Sequence, residues 1–114
     1  MMDKKARVLL LQILDAARDA LTFVEGFSET QFMSDKRTQQ AVCLSLIFIG
    51  ENAMRLQANH PGLVQSLDKI DWQSIRGMRN RLVHTYADTD LEIVWRTVQK
   101  TLPTLIHEVE RKFA

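Results

Sequence analysis

Cysteine is almost missing from this chain. Cys43 stands alone, so no disulfide can close within one molecule, which suits a reducing compartment. It sits in an apolar run and reads as a buried, inert thiol. Proline and glycine are scarce as well, two and four residues in 114, and long stretches without such punctuation read as helices. Neither sign of charge dominates: 15 Lys and Arg against 14 Asp and Glu leave +1. No broad field therefore exists to gather nucleic acid, and any such contact has to be local. The longest apolar stretch, Ala41 to Gly50, is about half of a membrane span. Lys4, Lys5 and Arg7 precede apolar residues, but Asp15, Arg18 and Asp19 soon interrupt them, so no signal peptide is expected and a cytoplasmic protein is. No segment alternates with period two for long enough to suggest a sheet. His, Cys and acidic residues show no metal-ligand spacing, so neither a metal nor another cofactor is expected.

What is present is an ordinary globular balance, 46% hydrophobic and 25% charged, in a length that fits one domain over residues 1–114. Leu10, Ile13, Leu14, Ala17, Leu21 and Val24 recur at spacings of three and four, which predicts a helix from Lys4 to Glu25 stopped by Gly26. A connection from Ser28 to Met33 has room for one helical turn. A second helix is expected from a Ser34 cap to Asn59, ending before Pro61-Gly62. Its middle is apolar nearly all round, as in a helix covered on several sides; a subunit interface and a central core helix both fit. A third helix starts at Asp71. A fourth runs from an Asp90 cap to Lys112 with Leu91, Val94, Val98, Leu102, Leu105 and Ile106 as its stripe, and Pro103 should kink or break it. The expected fold is all-α: an antiparallel up-down four-helix bundle, with an extra short helix possible.

The third helix carries the informative segment, Arg79-Asn80-Arg81-Leu82-Val83-His84-Thr85-Tyr86. Histidine can give or take a proton near neutral pH. Arginine is a permanent forked cation that suits phosphate oxygens. Together they form a minimal kit for cutting a phosphodiester. Arg76, Arg79 and Arg81 add three positive charges within six residues. On an ideal helix with Ile75 at zero, Met78, Leu82 and Tyr86 define a core face. Arg79 lies beside it at about 40°, and Asn80 and His84 fall near 140° and 180°. Arg79 and His84 are thus about 140° apart and do not meet through helical spacing alone. Either the helix unwinds near Val83 or a second subunit completes the site. Asn80, four residues before His84, can orient its ring. Blander roles exist: Arg79 as an ion-pair partner of Glu51, His84 as a helix-end residue, Tyr86 as a packed aromatic. His60 and His107 read as a loop and a surface residue.

The pattern Arg79-x4-His84-x-Tyr86 resembles the R-x4-H-x-Y motif of the HepT-like toxins of the HEPN superfamily. Ile70-Asp71-Trp72, Gly50-Glu51-Asn52-Ala53, Val94-Trp95 and Leu102-Pro103 agree with it, and the likeness extends over roughly Val8 to Ile106. The resemblance implies a homodimeric bundle whose two motifs line a shared cleft. It also implies a metal-independent endoribonuclease that acts as the toxin of a toxin–antitoxin pair. Arg79 would bind the scissile phosphate of RNA and His84 would be the general acid and base, with Asn80, Glu51 and Arg76 in support. The implied partner is an MNT-type nucleotidyltransferase antitoxin that silences the toxin by moving AMP from ATP onto Tyr86. The same fold and tyrosine would also serve a non-catalytic HEPN subunit of that nucleotidyltransferase.

Overall fold

The computed structural model describes residues 2–114. Its helices begin where a short polar side chain can take up free backbone N–H groups. Asp3 opens α1 (Lys4–Phe23) by accepting from the N–H groups of Lys5 and Ala6 at 2.8 and 3.2 Å. Those two bonds hold its carboxyl below the usual carboxylate range. Gly26, at φ 80°, turns the chain after α1 in the left-handed conformation that favours glycine. Ser28 and Gln31 form a reciprocal capping box on the short α2 (Glu29–Met33). The cap of α3 (Lys36–Asn59) is Asp35 rather than the expected Ser34. Its carboxylate accepts from Thr38 N–H, while the Ser34 hydroxyl donates back to the carbonyls of Thr30 and Gln31. Pro61-Gly62 does not leave a bare link. Pro61 starts α4 (Pro61–Ser66), where a missing N–H costs nothing. Asp71 caps α5 (Trp72–His84) through Ser74 N–H. A 3₁₀ turn, Tyr86–Asp88, leads to α6 (Leu91–Arg96), capped by Asp90.

Pro103 neither breaks nor ends the last helix. A π turn at Thr97–Thr101 joins α6 to α7 (Leu102–Phe113), with Leu102 N–H reaching back to the Thr97 carbonyl. The wider turn absorbs the residue whose nitrogen cannot donate, and the rod runs on to Phe113. Among the described residues there is no strand, and no helix is long and apolar enough to cross a membrane.

Four long rods therefore make the bundle: α1, α3, α5 and the α6–α7 rod. α3 lies between α1 and α5, and α7 closes against α1. Neighbours run antiparallel. Asp3 at the start of α1 is 3.9 Å from His60 at the end of α3. The Arg7 guanidinium sits 5.3 Å from the ring centre of Phe113, at the end of α7, and Arg18 pairs with Glu110. Leu10, Ile13, Ile49, Leu56, Leu82, Leu102 and Leu105 fill the core. Phe32 packs on Trp95 with ring centres 5.3 Å apart. This is the expected all-α bundle, with two short helices in its links.

Candidate functional site

The site is built on the seam where α3 and α5 come closest. Gly50 makes that approach possible. A Cβ there would overlap Cβ of Arg79 and lie 3.3 Å from the Ile75 carbonyl. A glycine inside a helix costs about 1 kcal/mol relative to alanine, and here it admits the stem of an arginine. Its place inside an otherwise apolar helical run was the signal in the sequence.

Arg79 is only 17% exposed at its side chain, and its charge is answered locally. Nε and Nη2 both donate to Oε1 of Glu51, at 2.9 and 2.6 Å. Nη1 donates to Oδ1 of Asn80 at 2.9 Å. Asn80 therefore orients Arg79, not His84: its amide oxygen is turned toward the guanidinium beside it. The Arg79–Glu51 ion pair, the blander role the sequence allowed for Arg79, is present. A guanidinium carries five N–H donors. Three are used here, so two remain to meet an anion.

His84 ends α5 and is exposed. The helix is regular up to that residue, with Thr85 N–H bonded to the Arg81 carbonyl at 2.9 Å. The alternative of unwinding near Val83 is thereby removed. Arg79 and His84 stay on different faces of the helix, about 7.5 Å apart along its axis. Arg81 and His84 both lie in the last turn of α5. Arg76 does not join the group. It lines a separate groove with Gln57, Asp68 and Trp72 on the α4 side, and its Nη1 is buried without a partner. Arg81 borders a third hollow, between α5 and α6. The three arginines that are close in sequence thus diverge in space.

Tyr86 has left the helix for the 3₁₀ turn and is 43% exposed. Its phenol lies against Gln40 and Cys43 on α3, and desolvation together with Cys43 pushes its pKa above the usual value. Burial pushes the Cys43 thiol up to about 11, so it is a thiol, not a thiolate, at neutral pH. One edge of Tyr86 opens on a cavity of about 350 Å³ that Lys36 and Gln39 also line. Gln40, Cys43 and Lys36 were not legible as neighbours of Tyr86, because their proximity exists only once α3 and α5 pair. Beside the site, Leu44 and Phe48 on α3 are 50% and 52% exposed, and Val83 on α5 is exposed too. Among the described residues no three His, Cys, Asp or Glu gather as metal ligands.

The sequence model of the ribonuclease HepT-like family matches residues 13–111. The chain belongs to that family. Membership makes this HepT-like protein an enzyme of the ribonuclease class, with the helical fold of HEPN proteins. A candidate RNase of Methanocaldococcus jannaschii is 31% identical over 94% of the HepT-like chain and 86% of its own length. A candidate RNase of Caldanaerobacter subterraneus is also 31% identical, over 94% of the chain and 93% of that protein. A Thermococcus cleftensis protein named for ribonuclease HepT is 29% identical over 86% and 90%. No solved structure matches the HepT-like chain.

Proposed function

We propose that this HepT-like protein is a metal-independent endoribonuclease toxin whose working unit is a homodimer. The observation that carries the reading is Arg79. It is held rigidly at the α3–α5 seam by Glu51 and Asn80, keeps two free donors, and stands next to the exposed apolar residues Leu44, Phe48 and Val83. A cluster of exposed apolar side chains beside a site is a common mark of an interaction surface. Pairing two copies through this face brings a second Arg79 and a second His84 to one groove, which answers their separation within one copy.

In that groove the guanidinium N–H groups grip the non-bridging phosphate oxygens and stabilise the charge that builds on them. The 2′-oxygen attacks phosphorus as one imidazole takes its proton. The bond to the 5′-oxygen breaks as the second, protonated imidazole supplies a proton to it. The products are a 2′,3′-cyclic phosphate and a free 5′-hydroxyl, with no metal required. Expressed alone in cytoplasm, such an activity is toxic, and its control falls to an MNT-type nucleotidyltransferase partner. The phenol oxygen of Tyr86 attacks the α-phosphorus of ATP and pyrophosphate leaves. The added AMP starts about 10 Å along α3 from Arg79, within a nucleotide's reach, and sets negative charge against the cation that RNA needs.

A non-catalytic binding subunit has one observation in its favour, the full ion pair of Arg79 with Glu51. Cleavage separates the two readings. His84→Ala is expected to abolish RNA cutting and toxicity while the assembly by light scattering is unchanged. Wild-type protein that leaves RNA intact at high concentration would overturn the nuclease reading. Intact mass after co-expression with the nucleotidyltransferase is expected to show added AMP on wild type and none on Tyr86→Phe.

A further inference from the structure

The near-neutral total charge hides a segregation. Lys4, Lys5, Arg7, Arg55 and Lys112 surround His60 at the end of the bundle where α1 begins and α3 and α7 end. Asp3 is the one acid lining these two adjoining grooves, and its carboxylate is bonded to the N–H groups that open α1. With those residues set aside, ten basic side chains face thirteen acidic ones over the rest of the chain. The lining of these grooves is therefore positive, although the molecule as a whole is nearly neutral. The grooves have volumes of about 620 and 770 Å³. Val8 and Leu9 give the larger one an apolar wall.

This basic end starts about one helical turn along α3 from the candidate site. On α3, Glu51, Arg55 and Asn59 follow one another at intervals of four, on one stripe with steps of about 6 Å. The stripe leads from the Arg79–Glu51 pair to His60. Asn59 donates to the Arg55 carbonyl at 3.1 Å, and Arg55 itself is exposed.

We propose that this end is a binding track for single-stranded RNA, which holds the strand several phosphates away from the bond to be cut. The inference rests on the ribonuclease reading of Arg79 and His84 and adds to it where the substrate lies. Phosphate contacts of this kind position a strand without reading its sequence, and apolar walls between cations suit the faces of unpaired bases.

The test uses full-length protein carrying His84→Ala, so that RNA stays whole, and a labelled single-stranded RNA longer than the 45 Å long axis of the molecule. Combined Lys4→Glu, Lys5→Glu and Arg55→Glu substitution should weaken binding at least about tenfold, and the log–log salt slope should fall by about 2, as expected for three lost contacts. Lys→Gln and Arg→Gln versions should show a smaller loss in the same direction, with an unchanged helical circular dichroism spectrum. In a His84 background, the same substitutions should leave the turnover of a dinucleotide, too short to reach the track, unchanged. A parental affinity and salt slope in the charge-reversed protein would overturn the track, as would retained RNA binding with loss of an acidic protein partner. Failure of the unsubstituted chain to cut any RNA would instead bring down the ribonuclease reading.

Discussion

Three of the five N–H groups of Arg79 are spent within its own protomer, two on Glu51 and one on Asn80. The pair is partly exposed, so its worth to folding is at most about 1 kcal/mol; under the proposed function, its part is to orient the guanidinium. Glu51→Gln should therefore leave the urea midpoint nearly unchanged and lower kcat/KM for RNA about tenfold or more, chiefly through kcat. A parallel loss of stability and activity would contradict a positioning role. Cys43 offers a second check. Its thiol sits higher in the folded protein, about 11 against an ordinary 9.0, and the Tyr86 phenol is raised as well. The folded state then keeps protons that the unfolded chain has released. That stabilisation is complete below about pH 9 and is lost as pH climbs to about 11. Melting temperature should fall over this interval, and Cys43→Ala should make the decline shallower.

Single elements were the most legible level, because apolar spacing along α1 and the α6–α7 rod repeats the helical period and α3 is a long stretch without proline. Capping residues were partly readable. Asp90 reads as a cap and Asp71 as a helix start, and both cap in the structure; Asp35 caps α3 where Ser34 was expected, and the Asp3 cap of α1 was not read from the sequence. Asp71→Ala should cost about 1 kcal/mol in chemical denaturation and speed amide exchange in the first turn of α5. What was not legible depends on geometry beyond one helix. Pro103 announces trouble, but a π turn and a break relieve it equally well, and only packing of Val98 and Leu102 on one core side decides between them. α4 is similar: Pro61-Gly62 reads as a stop, yet Pro suits the first turn of the helix it begins.

At the scale of the whole molecule, α3 is the central helix of the bundle, packed between α1 and α5, and it still exposes Leu44 and Phe48 on its outer side. If the proposed homodimer pairs through this face, Phe48→Glu should leave only monomer in sedimentation, since a charge buried at such a contact goes unpaired. Cleavage should be lost with it while the helical spectrum stays intact; an active monomer would remove the shared groove. The candidate site was legible where it is contiguous in sequence, from Arg79 to Tyr86. It was illegible where it is assembled: Gln40 and Cys43 against Tyr86, the divergence of Arg76 and Arg81, and the cations of three separate helices gathered around His60. A total charge of +1 carries no trace of such sorting.

The overlap that any Cβ at residue 50 would meet has a consequence for how this protein tolerates change. A position with no side chain and no chemistry is where two rods lock and where Arg79 is seated. Saturation mutagenesis should find Gly50 as intolerant as Arg79 itself, with even alanine depleted from functional clones, although nothing at that residue ever touches the substrate.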